Sequence, residues 1–556
     1  MSTDTEDGRA STVQPFWTRA RQLEKLPPCQ SACPNSGDIR GWLGIIAQHD
    51  RLGLSLEQAY DRAWERLVEL NPLPATIGRI CPHPCESQCS RNDKDGAVSI
   101  NAMERFLGDW AISRRLTLPT VEDGRCTESI GVIGSGPASL SFAYQMARRG
   151  YPVAMYERRE LPGGMLRHAI PDYRLPRAVL DAEVQRILDL PVSLLSGLDG
   201  ASDPPLEELR ARHRLLFVGV GAQSGRRLGV PGETGPGVMS GIDYLFRRKR
   251  GEATGLGKRV VVVGGGNTAI DAARSARRDG AEVIVLYRRT RHEMPAAVQE
   301  VEDAEAEGVV FEFLAAPCRI LRNDERVEGI EIQRMRLGET GQDGRRRPVP
   351  VAGAVDRIQA DTVLAAVSQQ ADWHGVEGIS PEGNWLSAEG DGRIADDLWA
   401  GGDDLGPGIA SRAIAQGRLA AEAAHAHLRG GEPSPVRPAR PRLDPSSVKH
   451  DYYEPLPRGH VPRRSQSTWL AEPDTEIEQT LSIAEARREA GRCLSCGLCF
   501  GCQQCYMYCN AAGFTRISEQ APGQYYAMAL EACEGCGKCI ELCPCGYLEP
   551  RGGPTW

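Results

Sequence analysis

The cysteines of this 556-residue chain are distributed very unevenly. Of eighteen, five lie between Cys29 and Cys89, eleven lie between Cys493 and Cys545, and only Cys126 and Cys318 occupy the long stretch between. The polar, acidic N-terminus has neither the basic nor the apolar region of a secretory signal, so we expect a cytoplasmic protein whose thiols stay reduced. Two dense cysteine groups in a reducing compartment predict metal sites rather than a disulfide scaffold.

The C-terminal group repeats the spacing C-x2-C-x2-C-x3-C twice. In bacterial ferredoxins, three cysteines of each such run bind one 4Fe–4S cluster and the fourth crosses to the other cluster. The expected ligands are Cys499, Cys502, Cys505 and Cys543 for the first cluster, and Cys533, Cys536, Cys539 and Cys509 for the second. A zinc ribbon is the alternative, but it usually needs only four ligands in two C-x2-C pairs.

The rest of the chain has the composition of an ordinary globular protein. Its net charge of −8 and pI near 5.8 argue against nucleic acid as the main partner. No apolar run approaches the roughly eighteen residues that a membrane helix needs. At about 150 residues per domain, the length predicts three or four domains.

A glycine-rich turn in IGVIGSGPASL predicts the first dinucleotide site. Gly134 permits a tight turn from strand to helix, and Gly136 lets a pyrophosphate approach the helix N-terminus. Ser139 occupies the third position, where Gly or Ala is usual. Glu157 ends the next predicted strand and can accept hydrogen bonds from a ribose, which favours FAD. A tight turn in some other α/β domain is the alternative.

A second turn, VVVVGGGNTAIDAARSA, repeats the pattern about 130 residues later with Gly264, Gly266 and Ala269. Its following strand ends in Arg288 and Arg289 instead of an acid. Because a guanidinium donates two hydrogen bonds to an oxyanion, these arginines suit the 2′-phosphate of NADPH. If they are only solvated charges at a strand end, NADH remains open.

The remaining segments give a coarse order of elements. Apolar residues three and four apart predict helices over 41–50 and 55–70, and prolines predict a loop over 71–89. The proline-rich segment 430–450 reads as an extended linker, and a helix is expected over 477–492. In LWAGGDDLGP, Asp403 resembles the late flavin-motif aspartate that binds the ribityl chain; an N-cap in a simple turn is the alternative.

Seven motifs in order resemble the flavoprotein family of the glutamate synthase small subunit, which includes the N-terminal half of dihydropyrimidine dehydrogenase and the large subunit of bifurcating ferredoxin:NADP oxidoreductase. They are PPCQSACPNSGDIRGW, GRICPHPCESQC, GSGPASL, LPGGMLRHAIPDYRLPR (with Gly164 a candidate cofactor contact), GGGNTAIDAAR, YRRTRHEMPA and AGGD. The resemblance covers about residues 25–430 and implies a helical domain with two 4Fe–4S clusters. It also implies FAD and NADPH domains, the second inserted into the first.

The resemblance implies cluster ligands, and one pair is missing. Relatives place a C-x2-C upstream of the first motif, where FWTRARQLEKLPP has no cysteine. We expect Cys493 and Cys496 to replace that pair and join Cys29 and Cys89. Alternatively, both are spare and this cluster is lost or incomplete. The ligands implied for the other cluster are Cys33, Cys81, Cys85 and Glu104.

The expected fold is therefore α/β and multidomain, with an N-terminal helical iron–sulfur domain, two Rossmann-like domains and a C-terminal α+β bacterial-type ferredoxin domain. The expected boundaries are 1–125 for the iron–sulfur domain, 126–230 and 370–430 for the FAD domain, 231–369 for the NAD(P)H domain, 431–475 for a linker and 476–556 for the ferredoxin domain.

The expected function is electron transfer between NAD(P)H, FAD and four clusters, to ferredoxin or a partner catalytic subunit. The C-terminal appendage resembles iron–sulfur flavoproteins that serve dissimilatory sulfite reductase or other low-potential reductases. The first alternative is a glutamate synthase small subunit. A flavin disulfide reductase would need a redox C-x2-C beside the flavin, where only Cys318, and Cys126 at the border, are available. A zinc-bound binding module is the non-enzymatic alternative.

Overall fold

A computed structural model describes residues 18–121, 126–198, 204–341, 344–373, 376, 378–379, 383–432 and 439–551. Its N-terminal part is one strand followed by helices that pack around Tyr60, Trp64 and Phe106. The elements are β1 (Ala20–Gln22), α1 (Pro28–Ala32), α2 (Ile39–Ala47), α3 (Leu56–Val68), α4 (Pro74–Ile80), α5 (Pro84–Ser87) and α6 (Ile100–Arg114).

The two long predicted helices of this part are confirmed as α2 and α3, and α3 starts with a capping box at Ser55. The loop expected over 71–89 is wrong in part, since α4 and α5 lie within it. Both begin at a proline, which the first helical turn tolerates because its N–H groups have no partner within the helix.

The first large sheet has six strands in the order β16-β17-β5-β2-β3-β4, parallel except for the edge strand β16. Helices α7 and α14 pack against each other beside it. Its elements are β2 (Ile130–Ile133), α7 (Pro137–Ala147), β3 (Val153–Glu157), α8 (Gly164–His168), α9 (Arg177–Leu188), β4 (Val192–Ser196), α10 (Leu206–Arg212) and β5 (Leu215–Val218), then β16 (Arg393–Ala395), β17 (Leu398–Ala400) and α14 (Ala410–Arg429).

The second sheet is parallel, in the order β10-β9-β8-β14-β7, and its strands fall between β5 and β16 in the chain. An antiparallel sheet of β11, β12 and β13 is attached to it. The elements are β6 (Ser224–Gly225), β7 (Val238–Ser240), α11 (Gly241–Lys249), β8 (Arg259–Val263), α12 (Asn267–Arg278), β9 (Glu282–Tyr287), α13 (Val298–Ala306), β10 (Val310–Phe313), β11 (Ala315–Asn323), β12 (Arg326–Thr340), β13 (Arg346–Gln359), β14 (Thr362–Ala365) and β15 (Gln369–Gln370). Both predicted strand–helix–strand units are confirmed, as β2-α7-β3 and β8-α12-β9.

The C-terminal part begins with a nine-residue helix, which is followed by two shorter helices separated by a hairpin. Its elements are α15 (Ile483–Gly491), α16 (Gln504–Met507), β18 (Phe514–Ala521), β19 (Gln524–Met528), α17 (Lys538–Leu542) and β20 (Leu548–Pro550). The helix expected over 477–492 starts late, because Ser482 and Glu485 form a capping box that fixes its first turn.

The segment 439–482, expected to be mostly linker, is extended but packed along the protein, and residues 433–438 lie outside the described residues. It buries Leu443, Val448 and Trp469. Arg278 on α12 donates hydrogen bonds to the carbonyls of Trp469 (2.8 Å) and Pro473 (2.7 Å). The segment 439–482 therefore connects the second sheet to the N-terminal helices. Within the described ranges, no helix is both long and apolar enough to span a membrane.

Candidate functional site

The first glycine turn lies between β2 and α7. Gly134 has φ of +88°, and a Cβ there would lie 2.4 Å from the carbonyl oxygen of Gly219, so only glycine fits. Gly136 caps α7, and a Cβ added to it would meet nothing within 4 Å. Ser139 is buried, and its hydroxyl donates to the Gly219 carbonyl at 3.4 Å. The turn thus presents open backbone at the start of a helix.

Glu157 ends β3 and is buried beside this turn. Its carboxylate accepts hydrogen bonds from the Ser135 hydroxyl and from the Arg159 N–H, the latter at 2.8 Å. The Ser135 hydroxyl also accepts from the Gly163 N–H at 3.1 Å, which holds Gly164 against Gly136. The acid predicted from spacing therefore lies at the glycine turn, where it also organises the backbone.

Two adjacent aspartates follow β17 and differ in environment. Asp403 is partly buried, and its Oδ1 accepts from the Gly408 N–H at 2.9 Å, while burial raises its pKa to about 6. Asp404 is fully buried and accepts from the N–H groups of Val220 (3.1 Å) and Gly221. Sequence reasoning missed Asp404, which fixes the loop after β5. The doubled Asp in GGDD was its only signal.

The second glycine turn has the same form. A Cβ on Gly264 would lie 2.2 Å from the Ala366 carbonyl oxygen, and the buried Ala269 packs against this glycine. Gly266 caps α12. The two arginines differ: Arg288 is exposed, whereas Arg289 is buried and its Nε donates to the Arg346 carbonyl at 2.7 Å. Arg289 thus also anchors β13, a contact that depends on a strand almost sixty residues away.

A cavity of about 280 Å³ extends from the first glycine turn to the start of α12, directly after the second turn. From the first sheet it is lined by Gly134, Gly136, Glu157, Gly164 and Asp403; from the second, by Asn267, Thr268 and Asp271; and from the N-terminal part, by Ile80 and Pro82. Arg174 bridges the two sheets at its wall, with Nη1 donating to Asp271 at 2.7 Å. The cavity therefore touches three parts of the chain.

Next to it, a smaller cavity of about 40 Å³ is lined by Cys33, Cys81, Cys85 and Glu104, here called the inner set. Burial, with a smaller contribution from Glu104, raises the pKa of Cys81 to about 12, and burial raises that of Glu104 to about 7. The Cys81 thiol lies 3.7 Å from the Ser411 hydroxyl of α14, and Ala410 lines the larger cavity. Four acidic groups facing one buried space suit a cationic metal centre.

Cys29, Cys89, Cys493 and Cys496, here called the shared set, come from opposite ends of the chain and lie together. Burial is the main cause that raises the pKa of the Cys29 thiol, and Cys493, Cys496 and Cys89 raise it further. Arg40 is buried beside them, donates to the Cys496 carbonyl at 2.6 Å, and leaves its Nε without a hydrogen-bond partner. Sequence reasoning missed this arginine, because only the packed structure brings GDIRGW to Cys496.

The C-terminal cysteines lie in two neighbouring groups. The first C-terminal set is Cys499, Cys502, Cys505 and Cys543, and the second is Cys509, Cys533, Cys536 and Cys539. Burial raises the pKa of Cys499 to about 12, with Cys502 and Cys543 adding to it. Burial raises that of Cys539 to about 11, with Cys533, Cys536 and Cys509 adding to it. The last cysteine of each run thus lies near the opposite run, with Cys543 near Cys499 and Cys509 near Cys539.

All eighteen cysteines lie within the described ranges and are free thiols. No three His, Cys, Asp or Glu side chains in those ranges are arranged to hold a single metal ion. Cys126 contacts Arg429 (2.8 Å) and Cys318 donates to the Glu331 carbonyl (3.3 Å), both apart from the four sets.

Comparisons with known proteins identify two regions of the chain. Residues 128–417 match the family described as pyridine nucleotide-disulphide oxidoreductase, and residues 19–116 match dihydropyrimidine dehydrogenase domain II, 4Fe-4S cluster. The NADPH-Fe(3+) oxidoreductase subunit beta of Geobacter sulfurreducens is 39% identical over 62% of this chain and 51% of its own length. The chain thus spans about half of that relative.

Two further relatives align with this chain over a larger share of their own length. The NADP(+)-dependent formate dehydrogenase subunit beta of Moorella thermoacetica is 34% identical over 87% of this chain and 71% of its own. The glutamate synthase [NADPH] small chain of Halomonas elongata is 33% identical over 71% of this chain and 87% of its own length. The resemblance drawn from the motifs is confirmed: the chain has an α/β pyridine nucleotide oxidoreductase fold behind an N-terminal 4Fe–4S domain, and belongs to the pyridine nucleotide-disulphide oxidoreductase family together with the glutamate synthase small chain.

Proposed function

We propose that this chain is a cytoplasmic NAD(P)H:acceptor oxidoreductase that uses FAD and four 4Fe–4S clusters. The observation that carries the proposal is the cavity of about 280 Å³, which is lined by the first glycine turn, by Asn267 and Thr268 directly after the second turn, and by Ile80 and Pro82 on either side of Cys81. A site for a dinucleotide flavin and a site for a nicotinamide would thereby lie together, next to the inner set.

FAD would be held in the first half of that cavity. The pyrophosphate would lie on the α7 N-terminus, where unpaired N–H groups favour an anion. Glu157 would accept the ribose hydroxyls and Asp403 the ribityl hydroxyls. The proposed contacts are Gly134, Gly136, Ser139, Glu157, Gly164 and Asp403.

NADPH would be held by the second turn, with Gly264, Gly266 and Ala269 allowing the pyrophosphate to approach α12. Arg288 is exposed at the end of β9 and would meet the 2′-phosphate. Arg289 would act with it from a position fixed by the Arg346 carbonyl. NADH would bind the same turn without that charge pairing.

The four cysteine sets would each hold one cluster, the shared set through Cys493 and Cys496 and the inner set through Glu104. When bound, flavin supplies exchange of two electrons and the clusters supply exchange of one. The chain's own contribution is to bury the sulfurs and to place the inner set against the flavin cavity. The unpaired Nε of Arg40 points to hydrogen bonding toward the shared cluster.

The domain arrangement follows from the same reading. The NAD(P)H domain, 231–369, would be an insertion between the FAD domain parts 126–230 and 370–430. The helical domain 1–125 and the ferredoxin domain 476–556 would carry two clusters each, with 431–475 joining them. The ferredoxin domain would deliver electrons to a ferredoxin or to a partner catalytic subunit, and two relatives are named as beta subunits of oxidoreductases.

A glutamate synthase small subunit is the second candidate function. It is favoured by 33% identity to a small chain, 87% of whose length is covered. Co-purification with a glutamate-forming subunit would support it. A co-purifying reductase or dehydrogenase subunit would support the main proposal.

Iron, flavin and nicotinamide reactivity together test the main proposal. Protein purified without oxygen should contain roughly sixteen iron atoms per FAD, four for each cluster. NADPH should bleach the flavin absorbance faster than NADH does. A colourless zinc protein, or a flavoprotein that neither nucleotide reduces, would overturn the proposal.

A further inference from the structure

Cys545 is the one cysteine of the C-terminal group that falls outside all four sets, and it lies against a member of the first C-terminal set. Its Sγ is 3.8 Å from the Sγ of Cys543, and its side chain is 2% exposed. Resting on the proposed function, we propose that Cys545 is a positioning residue: its thiol donates a hydrogen bond to the Cys543 sulfur and raises the reduction potential of the cluster held by the first C-terminal set.

The direction of this hydrogen bond follows from the chemistry of the pair. An iron-bound Cys543 is a thiolate, which has no proton to donate and can only accept. Cys545 must then be the donor, and its burial leaves no water to compete for the thiol. Pro544 between the two residues restricts the backbone and holds the pair in place.

The backbone of Cys545 faces a different cluster site. Its carbonyl accepts a hydrogen bond from the Gly497 N–H at 2.6 Å, and Gly497 directly follows Cys496 of the shared set. Tyr453 also contacts the shared set. Its hydroxyl donates to the carbonyl of Leu494 at 2.7 Å, and Leu494 lies between Cys493 and Cys496 in the chain. Cys545 is therefore placed between the shared set and the first C-terminal set.

This location gives the thiol a function. A hydrogen bond donated to a ligand sulfur stabilises the extra negative charge of the reduced cluster, which raises its potential. The cluster nearest the shared set would then accept an electron more readily than it would without Cys545. The thiol keeps its proton throughout, so no bond is made or broken.

Replacing the thiol in the full-length protein tests the inference. Wild type, Cys545→Ala, Cys545→Ser and the control Cys318→Ala are loaded anaerobically, and EPR-monitored redox titration measures the midpoint potential of each cluster. We expect one midpoint to shift to a more negative potential in C545A, with iron per flavin unchanged. The serine hydroxyl, a donor on a shorter side chain, should restore part of the shift, and C318A should match wild type.

Three outcomes would overturn the inference. An unchanged set of midpoints in iron-replete C545A, or in Cys545→Val if the alanine variant does not accumulate, would show that the thiol has no effect. A loss of about four iron atoms per flavin would make Cys545 a ligand instead. Wild-type protein without iron would overturn the proposed function as well, so the two failures are distinguishable.

Discussion

Asp403 is the residue in the larger cavity whose substitution tests the flavin site most directly. Its carboxyl is held by the Gly408 N–H and faces the cavity. Removing a side chain that bonds a ligand hydroxyl costs about 1.5 kcal/mol or more, which is about tenfold in affinity. We therefore expect Asp403→Ala to raise the dissociation constant for FAD at least tenfold, measured by titrating flavin-free protein.

The matched control for this change is Asp396→Ala, seven residues earlier. The Asp396 side chain is 91% exposed and pairs with Arg393 at the edge of the first sheet. The Asp396→Ala variant should therefore bind FAD with the affinity of the wild type. Equal affinities for the Asp403 and Asp396 variants would contradict the ribityl contact.

Arg288 tests the choice of nicotinamide cofactor at the same scale. Arg288→Ala removes the exposed guanidinium beside the second turn, so KM should rise about tenfold for NADPH and little for NADH. Steady-state reduction of an artificial acceptor measures both. Arg326→Ala, which removes an exposed arginine from β12, should change neither value. A parallel loss with NADH would mean that Arg288 does not contact a 2′-phosphate.

At the scale of elements, α7 and α14 pack against each other beside the larger cavity, which Ala138 and Ala413 line. Gly417 of α14 lies so close to α7 that a Cβ there would be 2.0 Å from the Ala138 carbonyl oxygen. Gly417→Ala should therefore force the helices apart and lower the free energy of unfolding by about 1–3 kcal/mol. Thermal unfolding of the flavin-loaded protein measures the loss.

Another helical glycine provides the control for this prediction. A Cβ on Gly491, at the end of α15, would meet nothing within 4 Å. Gly491→Ala should leave the stability unchanged or raise it by up to about 1 kcal/mol, because alanine loses less backbone entropy on folding. A Gly417 variant as stable as the Gly491 variant would show that the two helices can separate freely.

The sequence predicts a structural feature well where the residues that specify it are close together in the chain. Gly134 and Gly264 mark their turns because each must avoid a nearby carbonyl, and the cysteine spacing reflects ligands supplied by one short loop. The starts of α4 and α5 were missed because Pro74 and Pro84 suit either a loop or a first helical turn. The Arg289 contact with Arg346 could not be predicted, since it depends on how distant strands align.

At the scale of the whole molecule, the two ends of the chain form one unit. Strand β1 pairs with β20, so the cysteine-free segment before Cys29 is a sheet partner of the C-terminal part. Lys25 donates to the Gly546 carbonyl at 2.6 Å, and Arg40 to the Cys496 carbonyl at the same distance. The C-terminal part thus packs directly on the N-terminal part, which also lines the larger cavity through Ile80 and Pro82.

Because the shared set takes cysteines from both ends of the chain, replacing its C-terminal members tests whether the two ends hold a cluster together. Replacing both Cys493 and Cys496 with serine should remove one cluster, lowering iron from roughly sixteen to roughly twelve atoms per flavin. The other three sets keep their ligands, so flavin content and its reduction by NADPH should persist. Electron delivery to an acceptor at the C-terminal part should fall sharply, because the missing cluster lies between the inner set and the first C-terminal set.

The double variant Cys126→Ser/Cys318→Ser removes as many thiols from outside the sets and should lose no iron. If the two double variants had equal iron contents, the N-terminal cysteines would not share a cluster with the C-terminal end.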